Sequence, residues 1–246
     1  MNWQAHCAVV IPCLNEAAHI APLVTSIRKQ LPHVICVDDG STDGTASLAK
    51  NAGAMVIRQE HSQGKGAALT TGWRHARELG FQWALNMDGD GQHAPDDIPK
   101  FVSAAENTNA PLIIGNRMAN AHAMPWLRRF VNRWMSRKLS RAAGRNLPDT
   151  QCGFRLMRLD VWSRLPTRTL HFEIESELTL AFARAGHQIE FVPVQVIYHH
   201  ECSKIRPLRD SVRWFRWWRD VKRPATFVAN ETPVSLPTSV ESKISI

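Results

Sequence analysis

Residues 34–45 read Val34-Ile35-Cys36-Val37-Asp38-Asp39-Gly40-Ser41-Thr42-Asp43-Gly44-Thr45, a short apolar run that breaks off into a polar loop bearing two glycines. Four apolar residues in a row are too few for a helix and suit a strand buried on both faces. The same switch recurs on either side. Residues 7–14 are apolar and end in Pro12-Cys13-Leu14-Asn15-Glu16, and residues 81–87 lead into Asp88-Gly89-Asp90-Gly91-Gln92. Residues 54–58 and Leu112-Ile113-Ile114 are further strand-like segments. Helical patterns lie between them: residues 17–30 set Ile20, Leu23, Val24 and Ile27 on one face, and residues 64–79 and 94–107 read likewise. Asp43 can cap another helix, which Gly53 ends. This alternation predicts an α/β protein with a mostly parallel sheet and helices on both faces. Ligands of such sheets gather beyond the carboxyl ends of the strands, where the loops after the first, second and fourth strands fall.

The chain has 246 residues, 44% hydrophobic and 21% charged, enough for one sizeable folded domain and too apolar for a disordered chain. No run approaches the roughly 18 apolar residues of a membrane span. Residues 1–6 lack the basic-then-apolar order of a signal peptide, and Cys7, Cys13, Cys36, Cys152 and Cys202 include no Cys-x-x-Cys pair. Both observations lead us to expect a cytoplasmic protein whose cysteines fill the core. The net charge of +8 is uneven. Residues 117–145 hold eight Lys/Arg and no acid, and residues 203–223 hold eight against Asp210 and Asp220, so the rest of the chain is acidic. Two basic stretches imply an acidic partner.

Asp88 and Asp90, one residue apart on a turning backbone after a strand, can converge on one hard divalent cation, with Gln92 as a further oxygen donor. An ordinary Asp-Gly turn accounts for the same letters. In the 38–45 loop, carboxylates can accept hydrogen bonds from a base or ribose; a plain helix cap needs only one Ser, Thr or Asp, and this loop has six. Gly64-Lys65-Gly66 matches neither the phosphate-binding P-loop nor Gly-x-Gly-x-x-Gly, although a lysine and amides at a helix start suit an anion.

Together these segments resemble the family-2 glycosyltransferases of the GT-A fold, closest to the dolichol- and polyprenyl-phosphate mannosyl- or glucosyltransferases. The resemblance rests on Val10-Ile11-Pro12-Cys13-Leu14-Asn15-Glu16, residues 37–45, Gly64-Lys65-Gly66-Ala67-Ala68 and Met87-Asp88-Gly89-Asp90-Gly91-Gln92-His93. Gly115-Asn116-Arg117, Asp149-Thr150-Gln151-Cys152-Gly153-Phe154-Arg155, Phe172-Glu173-Ile174-Glu175 and Ser203-Lys204 follow in order. It implies a catalytic domain over residues 1–205 that binds a UDP- or GDP-linked sugar. Pro12, Asn15, Glu16, Asp38, Asp39, Lys65 and Asp88 would lie around the nucleotide sugar. Asp88, Asp90 and Gln92 would hold Mg²⁺ or Mn²⁺, and Arg117, Arg155 and Lys204 would meet an acceptor phosphate. The acceptor implied is a polyprenyl phosphate, with a hydroxyl of another lipid or saccharide as the alternative. A hydroxyl would require a base, for which Asp149, Glu173 and Glu175 are candidates, each equally able to cap a helix or pair with an arginine.

Residues 124–145 and 206–223 combine apolar positions at helical spacing with arginines, and Trp214 and Trp217 lie at the edge of the second apolar stripe. Basic, Trp-bearing amphipathic helices suit the inner face of an anionic membrane; the alternative is that each packs its stripe on the core. Residues 224–246, rich in Pro, Ser and Thr, read as a flexible tail. Nucleic acid fits poorly, because the Asp-rich loops repel a polyanion and no nucleic-acid-binding motif is present. A sugar nucleotidyltransferase would share the α/β core but needs a Gly-rich, basic first loop, which Pro12-Cys13-Leu14-Asn15-Glu16 is not. A non-catalytic membrane adaptor is the remaining reading.

Overall fold

The computed structural model describes residues 1–119, 124–197 and 207–222. Lys204, Cys202 and the 224–246 tail lie outside the described residues. In chain order the elements are α1 (Trp3–His6), β1 (Cys7–Cys13), α2 (Ile20–Arg28), β2 (Val34–Asp38), α3 (Thr45–Asn51), β3 (Met55–Arg58) and α4 (Lys65–Glu78). Then come β4 (Trp83–Asn86), a 3-10 turn, α5 (Ile98–Thr108), β5 (Leu112–Asn116), α6 (Trp126–Ala143), β6 (Arg155–Arg158), α7 (Leu159–Trp162), α8 (Ile174–Arg184), β7 (Ile189–Pro193) and α9 (Pro207–Lys222).

The strands form one seven-stranded sheet in the order β3-β2-β1-β4-β6-β5-β7. β6 runs antiparallel to β4 and β5, and the other pairings are parallel. The uninterrupted apolar runs of β1 and β2 are explained by burial on both faces: Val9, Val10, Ile11 and Val37 have no exposed surface. In-register pairing of Cys13 with Asp38 brings the loops after β1 and β2 to one edge. Pairing of Val10 with Asn86 places Asp88 at that edge too. Cys7, Cys13, Cys36 and Cys152 are buried free thiols, as expected of core fillers.

The basic helix α9 differs from expectation. Trp214 and Trp218 are buried and stack on each other at 5.5 Å, Trp214 donates its Nε1–H to Ser176 Oγ (3.0 Å), and Trp134 of α6 lies against Trp214. The indoles at positions 214 and 218 therefore pack on α6 and α8, and Trp217 is half-buried beside them. A spacing of four residues gathers Trp214 and Trp218 on one stripe, and the core is what covers it. On these two helices Trp126, Leu127, Phe130 and Val131 of α6 and Val212 and Phe215 of α9 remain exposed.

Candidate active site

The first two loops are laced together. Ser41 Oγ accepts from the Asn15 amide (2.9 Å), Thr45 Oγ1 from the Glu16 amide (2.8 Å), and Asp43 Oδ2 from the Ala17 amide (3.1 Å), while Asn15 Oδ1 accepts from the Thr42 amide (2.9 Å). Asn15 itself takes a φ of 54°, a conformation Asn tolerates because its side chain can bond locally. The surplus of Ser, Thr and Asp in residues 38–45 thus holds the neighbouring loop in place. Asp38 is buried, its Oδ1 accepting from the Ser41 amide. Asp39 accepts from Ser62 Oγ (2.8 Å) and from the amides of Gln63 (2.7 Å) and Gly64 (2.9 Å), which ties the β2 loop to the start of α4. The Ala67 amide is also engaged, by Leu170 O. The Gln63, Gly64 and Ala67 amides are thus taken, and Lys65 is the charged group at the helix start.

Lys65 is the centre of the site. Its Nζ lies 2.6 Å from Asp88 Oδ1 and 2.6 Å from Glu175 Oε1, with the Phe172 ring 5.5 Å away. On the other side of Asp88, His93 Nε2 approaches Oδ2 at 3.3 Å. Burial works against charge on both partners, yet Lys65 holds Asp88 well below the usual carboxylate range, with His93 assisting. Asp88 and Glu175 in turn raise Lys65 against its own desolvation, so both stay ionised at neutral pH. Pro12, Glu16 and Gly89 adjoin: a Cβ on Gly89 would sit 3.1 Å from Glu16 Cγ and 3.3 Å from Pro12 O. Asp90 Oδ1 accepts from the Gln92 amide (3.0 Å). One edge of the sheet thus gathers Pro12, Asn15, Glu16, Lys65, Asp88, Asp90, Gln92 and Glu175. An 840 Å³ hollow lined by Trp3, Phe81, Trp83 and Leu159 opens at the opposite edge, where β1 and β4 begin, and holds none of these groups.

The family model for glycosyl transferase family 2 matches residues 8–165, the span that builds this edge. The chain belongs to glycosyl transferase family 2. Among its relatives, the UDP-N-acetylglucosamine–dolichyl-phosphate N-acetylglucosaminyltransferase of Methanococcus voltae is 29% identical, over 77% of this chain and 85% of that one. The undecaprenyl-phosphate mannosyltransferase of Micrococcus luteus is 28% identical, over 76% and 82%. The glucosyl-3-phosphoglycerate synthase of Mycobacterium tuberculosis, solved with UDP, superposes with a TM-score of 0.67 at 25% identity, over 86% of this chain and 76% of that one. That synthase has also been solved with Mn²⁺ and UDP-glucose. The α/β sheet read from the sequence is thus a GT-A fold, the protein is a glycosyltransferase, and the nucleotidyltransferase and adaptor readings give way.

Three residues given roles from the sequence are engaged within this family-2 enzyme. Arg117 and Asp149 form a buried two-point ion pair, Nε to Oδ2 and Nη2 to Oδ1, each 2.9 Å, and the Arg117 amide adds a third bond at 3.0 Å. Although burial opposes ionisation, Arg117 holds the Asp149 carboxyl below its usual range. A carboxylate held so is a poor proton acceptor, which counts against Asp149 as a base. Arg117 is equally engaged with Asp149 and buried. Arg155, 1% exposed, directs its guanidinium to Cys152 O, Thr150 O, Glu175 O and Thr179 Oγ1 at 2.6–2.9 Å. It braces the 150–152 turn against α8 and fixes Glu175 from behind. The signal for the Arg117 pairing is in the sequence: Asp149 is the first acid after the basic run.

The β4 tip carries carboxylate oxygens, the donor type a hard divalent ion takes; Asp90 accepts from the Gln92 amide and Asp88 lies against Lys65 and His93, and among the described residues no three His, Cys, Asp or Glu side chains converge as a metal site. A Cβ on Gly153 would come within 2.7 Å of Asp88 Oδ2. Gly153→Ala is therefore expected to swing Asp88 off Lys65 and lower kcat/KM about tenfold, since small misplacements of positioned groups are costly, with little change in Tm. An unchanged kcat/KM would show that the position of Asp88 is immaterial.

Proposed function

We propose that this glycosyltransferase moves a hexose from a UDP- or GDP-linked sugar to a polyprenyl phosphate at a membrane surface, inverting the anomeric carbon, with Mg²⁺ or Mn²⁺ on Asp88 and Asp90. The observation that carries the acceptor assignment is the closure of Asp149 by Arg117. A hydroxyl acceptor must lose a proton to a base, whereas a phosphate monoester, with a second pKa of about 6, is already anionic at pH 7 and needs none. Glu175 is engaged with Lys65, so it too is a weak candidate for a base. The named activities of the Methanococcus and Micrococcus relatives favour the same acceptor.

In this reading Pro12, Asn15, Glu16 and the loops tied by Asp38 and Asp39 border the nucleotide. Asp88, Asp90 and Gln92 would hold the ion, which when bound offsets the charge growing on the departing diphosphate. Lys65 keeps Asp88 ionised and aimed, and Lys204 is proposed to meet the acceptor phosphate. The second reading, transfer to a hydroxyl, is favoured by likeness to the glucosyl-3-phosphoglycerate synthase. Incubation with UDP- and GDP-sugars, Mn²⁺ and either polyprenyl phosphate or 3-phosphoglycerate separates the two. We expect an acid-labile lipid-phosphate sugar; transfer to phosphoglycerate alone would select the second reading.

No described helix is long and apolar enough to cross a membrane. We assign membrane contact to the start of α6, where Trp126, Leu127 and Phe130 are 76%, 57% and 65% exposed among Arg128, Arg129 and Arg133. The inner side of that helix reaches the site, since Ser136 Oγ bonds the Thr150 amide (3.0 Å) next to Asp149. Apolar insertion and attraction of arginines to anionic lipid act together there. Trp126→Ala with Phe130→Ala should weaken sedimentation with phosphatidylglycerol vesicles about tenfold or more, given about 1.5–3 kcal/mol for each large side chain buried. Undiminished sedimentation would move the contact elsewhere.

A further inference from the structure

Lys65 lies where an incoming divalent ion has to contend with it. Its ammonium is within 2.6 Å of Asp88 Oδ1, a carboxylate proposed to hold the ion, and within 2.6 Å of Glu175 Oε1. The two anchors differ in kind. Asp88 stands on the turn after β4, whereas Glu175 stands in the first turn of α8, where Arg155 grips its carbonyl at 2.7 Å. Lys65 is the first residue of α4, and the Asp39 bonds to Gln63 and Gly64 fix the backbone just before it. Its four-carbon stem lets the charged end move while the helix stays still.

We infer that Lys65 is a resident counter-cation that couples metal binding to diphosphate binding. An ion arriving alone meets a like charge already seated on Asp88, and in a partly buried site that repulsion is weakly screened. A nucleoside diphosphate arriving with the ion brings anionic oxygens. Lys65 can release Asp88 to the metal, turn to the diphosphate and keep Glu175 as its pivot. Each ligand then favours the other by the same factor, as linkage requires. The inference rests on the metal-dependent reading above and assigns Lys65 a positioning role through Asp88.

The test is Mn²⁺ binding to the full chain, followed by electron paramagnetic resonance of free Mn²⁺, without nucleotide and with saturating UDP or GDP. For the unaltered chain we expect the better-fitting nucleotide to tighten Mn²⁺ binding on the order of tenfold or more, within the usual range of coupling between sites. Lys65→Met should bind Mn²⁺ alone on the order of tenfold tighter than the unaltered chain, with nucleotide adding less than it adds to the unaltered chain. Lys65→Arg, which keeps the charge, should keep the coupling. Should Lys65→Met fail to fold, as judged by its melting curve, Lys65→Gln carries the same expectation, because it removes the charge and can still donate to both carboxylates. A merely structural lysine would give the opposite sign, with the neutral variant binding Mn²⁺ no tighter than the unaltered chain, and that result overturns the inference. An unaltered chain that binds no Mn²⁺ with either nucleotide would instead remove the metal-dependent reading itself.

Discussion

Asp90→Asn is expected to lower kcat by about 100-fold or more with donor and Mn²⁺ saturating, because stabilising developing charge by a bound ion is worth several kcal/mol and each 1.36 kcal/mol is tenfold in rate. Position 90 is the cleaner of the two carboxylates to alter. Asp88 is bound to Lys65 and His93, so its loss also unseats a lysine and leaves Glu175 facing a changed partner. Asp90 makes a local bond to the Gln92 amide that the carbonyl of Asn can still accept. The fold should survive with an unchanged Tm, and the defect should shrink as Mn²⁺ is raised. Full turnover in the Asn variant at low Mn²⁺ would remove Asp90 from the ion's ligands.

The second large effect falls on stability. Asp149→Asn leaves the Arg117 guanidinium buried at 6% exposure without its counter-charge. Breaking one side of a buried pair costs about 3–5 kcal/mol, and for a domain of this size each kcal/mol moves Tm by about 2–4 °C. A fall of roughly 10 °C in a thermal melt is therefore expected. Replacing both partners, Arg117→Met with Asp149→Leu, should cost less than the single change, because no charge is then stranded. A Tm for Asp149→Asn within a degree or two of the unaltered protein would mean that the pair is not a brace. The pH dependence has a definite sign. The folded Asp149 pKa lies below that of the unfolded chain, about 3.9. The pair's contribution is complete above that value and is lost only as the pH falls through the lower, folded pKa. Unfolding through this group therefore belongs to strong acid, well below neutral pH.

Much of the sheet was legible because β1, β2 and β4 are apolar runs that each end in a polar loop, the pattern of parallel strands buried on both faces. β6 was not. It reads Arg-Leu-Met-Arg, four residues with a cation at each end, and Arg155 is buried only because three backbone carbonyls and a threonine receive it. β7 reads Ile-Glu-Phe-Val-Pro, which shows no strict alternation because Ile189 and Val192 are the buried members. In the site, spacing marked Asp88 and Asp90 as a candidate pair, since they stand two positions apart on one turn. It did not reveal that Ser41, Asp43 and Thr45 serve the first loop, or that Lys65 reaches Glu175, because those contacts join residues 26 to 110 apart. That α9 is amphipathic was legible, but its covered face was misplaced: Trp214, read at the edge of the stripe, is buried, while Val212 and Phe215 are exposed; periodicity says only that a stripe is covered. Whether a bilayer or a protein core covers it depends on α6 and α8, and here the core does.

Central to the proposed function is an ion at the β4 tip gripping a nucleotide-bound diphosphate. A crystal soaked with UDP or GDP and Mn²⁺ tests this most directly. The account predicts manganese density touching Asp90 and Asp88, with the diphosphate on its far side and the base beside Pro12 and Asn15. Nucleotide lodged away from this edge, or manganese bound without either carboxylate, would contradict it.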